Sequence, residues 1–221
     1  KYGVWTTILN VLSWITYFDI GIGHGLRNKL AENLDREGNE IKCRKYVSSA
    51  YFAFGLIVLC AMCGFSVAAI FVNWNSIFGV SKNSVRDNLT CVMCISVIFM
   101  CINFLLSLCK SIYYALQKNS TVGLMGVLQQ SLMLIGVLYL SSEASLLKVA
   151  IFYGLSDFIV EMLFTLILTR KSEIFVPSLK FVSKEETKST TNLGMLFFIS
   201  QISALILFTT DNLIISHFIG P

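Results

Sequence analysis

The stretch Leu89–Cys109, LTCVMCISVIFMCINFLLSLC, runs for 21 residues without one charged side chain, and its reading decides the fold class. A run of about 18 or more apolar residues, rising about 1.5 Å per residue as a helix, crosses the roughly 30 Å hydrocarbon core of a bilayer. Strands of a membrane barrel would be shorter and would alternate polar with apolar positions; here the apolar residues are continuous. Five further stretches of the same kind flank it: Tyr2–Gly25, Val47–Val72, Thr121–Leu140, Leu146–Leu168 and Leu193–Ile219. The composition agrees. The 221-residue chain is 55% hydrophobic and 14% charged, with a mean hydropathy of +0.72, against roughly 25% charged residues in an average soluble domain. The expectation is an all-α membrane protein with six transmembrane helices, not a soluble globular domain.

Charge sets an orientation. The five linkers between the spans hold basic residues unequally. Linker one carries Arg27, Lys29, Arg36, Lys42, Arg44 and Lys45, linker three Lys110 and Lys118, and linker five Arg170, Lys171, Lys180, Lys184 and Lys188. These are 13 of the 17 basic residues, whereas linkers two and four hold Lys82, Arg86 and Lys148. Cytoplasmic loops of membrane proteins are enriched in Lys and Arg, so linkers 26–46, 110–120 and 169–192 are expected in the cytoplasm, and the first span enters from outside. The net charge of +4 then reflects topology. A nucleic-acid patch is disfavoured, because acids such as Glu32, Asp35, Glu185 and Glu186 are interspersed with the bases.

The seven cysteines cannot all pair within the chain. Cys60-x-x-Cys63 and Cys91-x-x-Cys94 have zinc-like spacing, but they lie in or beside apolar spans with no His or acidic partner nearby, so no metal is expected; free Cys behaves as a small hydrophobe. Asn88-Leu-Thr90 and Asn119-Ser-Thr121 match the glycosylation pattern, and both read as chance, since Asn119 is assigned to the cytoplasm.

Polar residues within the spans carry most of the functional information, because an ionisable group in a bilayer is costly and by default faces the bundle interior or an aqueous cavity. Five qualify: Asp19, Lys110, Asp157, Glu161 and Asp211. Asp157 and Glu161 are four apart and share a helix face. Thr6, Asn10, Ser13 and Tyr17 follow helical spacing on the first span, Gln129 and Gln130 sit in mid-membrane, and Ser200, Ala204 and Asp211 fall on one face of the last. Single Ser, Thr or Asn residues read more simply as groups satisfying one another between packed helices, whereas Asp157 with Glu161, and Asp211, read as cavity or ion-coupling groups.

The densest feature is Phe18-Asp-Ile-Gly-Ile-Gly-His-Gly-Leu-Arg-Asn-Lys29. Glycines at 21, 23 and 25 weaken a helix and permit close backbone approach. They are not a dinucleotide fingerprint, because the third glycine of that motif would fall on Leu26 and no strand precedes it. The plainer reading is a tight helix crossing followed by a basic anchor. The sharper one is a cytoplasmic gate, a pliable helix end placing Asp19, His24, Arg27, Asn28 and Lys29 at the mouth of a cavity, with Lys110 as a further substrate-facing cation.

Three segments, YGVWTTILNVLSWITYFDIGIGHGLRNKLAEN (2–33), RKYVSSAYFAF (44–54) and LFFISQISALILFTTDNLIISHFIGP (196–221), resemble the Wzx-type O-antigen and capsular polysaccharide flippases of the multidrug/oligosaccharidyl-lipid/polysaccharide exporter superfamily. The resemblance covers nearly the whole chain and is most specific in its first fifty and last thirty residues. It implies a two-lobed, twelve-helix exporter that moves undecaprenyl-diphosphate-linked oligosaccharide from the cytoplasmic to the periplasmic leaflet of a bacterial inner membrane by alternating access. The six spans would be the second to seventh helices: 1–170 the second to sixth helices of the N-terminal lobe, 171–192 the inter-lobe linker, and 193–221 the first helix of the C-terminal lobe. Since Lys1 is not an initiator Met and Pro221 follows directly on the last span, the chain is expected to be a piece of a longer protein, about one structural repeat cut out of register. The implied partners are the lipid-linked substrate, surrounding membrane lipids, a polysaccharide polymerase and a coupling proton or sodium ion; no cofactor and no enzymatic activity are implied.

One departure stands against the resemblance. A diphosphate calls for cations in the cavity, yet the membrane-embedded part offers four acids and only Lys110. Either the second lobe supplies the cationic wall, or the acids couple transport to an ion gradient. The runner-up is a multidrug and toxin extrusion antiporter of the same fold, whose cationic cargo suits acids but whose pattern lacks the glycine-rich first motif. A third reading, a membrane-embedded acyl- or glycosyltransferase with His24 as general base and Asp19 as its orienter, lacks a nucleophile arrangement or a metal motif.

Overall fold

The computed structural model describes residues 21–34, 38–71, 89–140 and 145–219, the side chains of 67–71, 140 and 204–219 excepted. Among the described residues every regular element is helical. In chain order these are α1 (Ile22–Leu34), α2 (Glu40–Phe71), α3 (Leu89–Leu106), α4 (Leu108–Ala115), α5 (Asn119–Leu140), α6 (Leu146–Lys171), two short 3-10 turns (Glu173–Phe175 and Leu179–Phe181) and α7 (Lys184–Ile219). Four helical segments, Glu40–Ser66, Leu89–Ala115, Asn119–Tyr139 and Leu146–Lys171, are long and apolar enough to cross a membrane. They match the second to fifth stretches read from hydropathy. The first stretch lies outside the described residues except for 21–25, and the sixth lies within α7.

The helices extend past the apolar stretches. α2 begins at Glu40 and α7 at Lys184, several residues before the expected starts at 47 and 193, so much of the expected linkers 26–46 and 169–192 is helical. Hydropathy marks only the part of a helix that needs hydrocarbon. The backbone ladder continues outward wherever charged side chains find partners, and α2, 32 residues long, spans about 48 Å, well beyond the hydrocarbon core.

α3 and α6 run parallel in a fixed register. Asn103 Nδ2 donates to the Gly154 carbonyl at 3.0 Å, and Tyr113 Oη to the Phe164 carbonyl at 3.1 Å, both across 51 positions. Lys110 and Glu161, at the same offset, form an ion pair. The contacts fall at i, i+7 and i+10 on both partners, the seam of shallow-angle helix packing. The register survives a break at Ser107, between α3 and α4, where the Ser107 hydroxyl turns back to the Phe104 carbonyl at 2.7 Å. Gly154 lets the ring of Phe99 lie against the α6 backbone, where a Cβ would collide with it. α5 crosses back between the two parallel segments in sequence and packs on α6.

Two apolar clusters occupy the length of this bundle. Leu89, Val92, Met93 and Val97 of α3 meet Leu146 and Ala150 of α6. Toward the other end, Leu26 and Leu30 of α1, Val47 and Phe54 of α2, Ile112 of α4, Met125 of α5 and Leu168 of α6 form the larger cluster, with Phe54 stacked on Phe104 at 4.7 Å between centroids. The outer surface is apolar too. Only 17% of the most apolar window of Asn119–Tyr139 is buried, and Leu134, Ile135 and Leu138 all stand exposed. A surface of this composition is stable against hydrocarbon, not water.

The segments that carry most of the bases touch one another at one end of the bundle. Arg27 of α1 stacks over Tyr114 at the end of α4. Arg44 of α2 pairs with Glu173 at 3.6 Å and covers the ring of Phe181. Lys45 reaches Glu186 of α7 at 4.0 Å. Ser48 accepts from the Ser178 amide, and Ser49 both accepts from the Ser183 amide and donates to its carbonyl.

Candidate functional site

The parallel register of α3–α4 with α6 carries a charged pair into the apolar interior. Lys110 Nζ lies 2.7 Å from Glu161 Oε1, and the Glu161 side chain is only 4% exposed. At that length the contact is a charge-assisted hydrogen bond. In the sequence Lys110 belonged with the substrate-facing cations and Glu161 with the ion-coupling acids; the structure joins them in one site. Breaking such a pair leaves an uncompensated buried charge, whereas replacing both partners by apolar groups is often close to neutral.

Three helices complete the surroundings. Asp157, one turn before Glu161, is half-buried and within electrostatic reach of Lys110. Gln129 of α5, 9% exposed, stands beside the Glu161 carboxylate. Tyr51 of α2 is close enough to feel both Cys109 and Glu161. The second carboxylate oxygen, Glu161 Oε2, is buried and has no hydrogen bond among the described residues. One cation thus faces two acids, with an open acceptor on the buried one. Such a cluster can hold a proton or a small cation, or change partners when its helices move.

The glycine-rich motif forms a second locus. Gly21 takes φ +67° and opens α1. A Cβ on Gly21 would strike the Gly194 carbonyl, and one on Gly25 the Thr190 carbonyl. α1 therefore crosses α7 backbone to backbone, running antiparallel, as close approach through small residues allows. Beside the crossing, His24 stacks on Phe197 with centroids 5.4 Å apart, and His24 Nε2 lies 3.2 Å from Gln201 Nε2.

The remaining expected gate residues divide between other partners. Arg27 lies over Tyr114 at 4.9 Å from the ring centroid. Lys29 pairs with Glu32 one turn on, at 3.3 Å. Asn28 is half-buried on the same helix. Asp19 lies outside the described residues, as does the side chain of Asp211, whose backbone is helical within α7. Of the other polar positions singled out, Gln130 and Ser200 are exposed.

Gln201, Phe197 and Tyr114 have no such mark in the sequence. Each sits on an apolar helix, and only its meeting with His24 or Arg27 gives it a role. Gln201 carries one usable signal, an amide within an otherwise apolar stretch. Among the described residues no group of three or more His, Cys, Asp or Glu side chains is placed to hold a metal ion.

The fold and both loci define an α-helical membrane-type protein with a buried ion pair and a glycine-mediated helix crossing. Comparison with protein-family models, with characterised proteins and with solved structures finds no match for the chain.

Proposed function

We propose that the chain is part of a two-lobed, twelve-helix exporter that flips undecaprenyl-diphosphate-linked oligosaccharide across the bacterial inner membrane. The observation that carries this reading is the crossing of α1 on α7 through Gly21, Gly25 and Gly194. In the arrangement the resemblance implies, α1 ends the second helix of the first lobe and α7 begins the second lobe, so this crossing is an inter-lobe contact. It lies near the basic segments, which the positive-inside rule assigns to the cytoplasm. Closure there, with His24 against Gln201, suits an alternating-access carrier sealed on its cytoplasmic side, and Arg27 and Lys29 stand on the same helix to meet a diphosphate when it opens. The Lys110–Glu161–Asp157 cluster then serves as the ion-coupling element, exchanging a proton or holding a cation as the helices repack.

The antiporter alternative relies on an acidic interior for cationic cargo. The bond from Lys110 neutralises one of those acids, which weakens that reading.

The intact protein, reconstituted in liposomes with a fluorescent undecaprenyl-diphosphate oligosaccharide, tests the proposal. The labelled lipid should become accessible to a membrane-impermeant quencher from the opposite leaflet. Replacing Asp157 with Asn and Glu161 with Gln should abolish the dependence of that movement on a proton or sodium gradient. Movement of a cationic dye without movement of the oligosaccharide would overturn the proposal in favour of the antiporter.

A further inference from the structure

A groove of about 360 Å³ runs along α2 on the side facing the 3-10 turns. Its floor is formed by Ser48, Phe52, Leu56 and Leu59 of α2 with Leu105 of α3, and Leu179 stands on its far wall. From Ser48 to Leu59 is three turns of helix, about 16 Å, close to the thickness of hydrocarbon in one leaflet, roughly 15 Å. Leu179 is 80% exposed although it lies beside basic residues, a placement that suits the boundary between headgroups and acyl chains.

The polar end of the groove is cationic. Arg44 lies one turn before Ser48, with its guanidinium 4.5 Å from the centroid of the Phe181 ring. Its ion pair among the described residues is the 3.6 Å contact with Glu173, a side chain 92% exposed, and such surface pairs bind weakly. Arg44 Nε is buried and has no hydrogen-bond partner among the described residues. Lys180, exposed, adjoins Leu179 in the wall. The groove is thus apolar along its length and set on a membrane-crossing helix, and its lining residues Ser48 and Leu179 are followed outward by Arg44, one turn away on α2, and by Lys180, next in the chain, both outside the lining itself.

We propose that this groove binds one acyl chain of an anionic phospholipid, whose phosphate sits against Arg44 and Lys180. The charge complementarity selects the anionic headgroup, and the length and apolar lining select the chain. The groove shares Tyr51 with the surroundings of the ion pair, but it includes neither Lys110 nor Glu161 and none of the glycines of the α1–α7 crossing, and it stands whatever the protein transports.

Native mass spectrometry of the intact protein, delipidated and then titrated with phosphatidylglycerol or phosphatidylcholine, tests it. One tightly held phosphatidylglycerol per chain is expected, with phosphatidylcholine held more weakly. Arg44→Gln and Lys180→Gln should each weaken the phosphatidylglycerol adduct roughly fivefold. A Cβ at Gly55, on the groove wall, meets nothing within 4 Å, so Gly55→Trp has room to fill the groove; it should abolish the adduct while leaving helicity and thermal unfolding unchanged. Equal retention of the two lipids would overturn the proposal, as would retention indifferent to the charge variants. A dimer that Gly55→Trp splits into monomers would make a second copy of the chain the occupant, and would also overturn it.

Discussion

Removing Lys110 and removing Glu161 should not be equivalent. In Lys110→Met the Glu161 carboxylate, 4% exposed, loses the one counter-charge that stands at bonding distance among the described residues, where its Oε2 already lacks a hydrogen bond. Truncating one partner of a buried pair costs about 3–5 kcal/mol, and the burial of Glu161 places this variant in that range. In Glu161→Gln the stranded group is Lys110, whose side chain is 29% exposed and which has Asp157 within electrostatic reach. A flexible ammonium with access to polar surroundings keeps much of its solvation, so a loss of about 1 kcal/mol is expected. The double variant Lys110→Met/Glu161→Met replaces both charges with apolar chains and should return to within about 1 kcal/mol of wild type. Thermal unfolding of the detergent-solubilised protein reads this out. At roughly 2–4 °C per kcal/mol for a chain of this size, Lys110→Met should lower Tm by about 6 °C or more, and the double variant should recover most of it. The double variant should nevertheless lose gradient-dependent transport, which separates a structural from a functional role. Equal losses in the two single variants, summing in the double, would show that the residues do not interact and would refute the reasoning.

Gly25→Leu places a side chain against the Thr190 carbonyl and should destabilise the protein by about 1–3 kcal/mol, with the loss of Tm matched by reduced surface polysaccharide; an unchanged Tm would mean that the helices do not cross there. Cys43, 1% exposed, should resist thiol reagents on either side of the membrane, so its labelling reports burial and not topology. Lys42→Cys, at an exposed position, should react with an impermeant maleimide only after cells are permeabilised, and reaction in intact spheroplasts would invert the orientation. Arg27→Ala with Lys29→Ala should lower surface polysaccharide at a normal protein level, and Arg27→Lys should also be impaired because it loses the bidentate fork that fits phosphate; a normal polysaccharide level would reduce both residues to membrane anchors.

Much of the membrane architecture is legible in the sequence because it depends on solvent. Leu89–Cys109 has no charge to keep in water, and in hydrocarbon a backbone must satisfy its own hydrogen bonds, so a helix is the only local solution. The same reasoning locates the second, fourth and fifth stretches, and the cost of burying charge marks Lys110, Asp157 and Glu161 from their positions in the chain alone. What composition and periodicity do not encode is which polar residue answers which. The pairing of Lys110 with Glu161 depends on α3–α4 and α6 running parallel at a constant offset of 51 residues, which holds for Asn103 with Gly154 and for Tyr113 with Phe164 as well. That register brings Phe99 against Gly154 and persists through the break at Ser107, neither of which has a periodic signature. The glycines at 21 and 25 announce a close approach, but their partners, Gly194 and Thr190, lie some 170 residues away along the chain. Local physics determined where this chain meets hydrocarbon and which of its groups are costly there; only the tertiary structure decided how those groups satisfy one another, because that depends on contacts between helices distant in sequence.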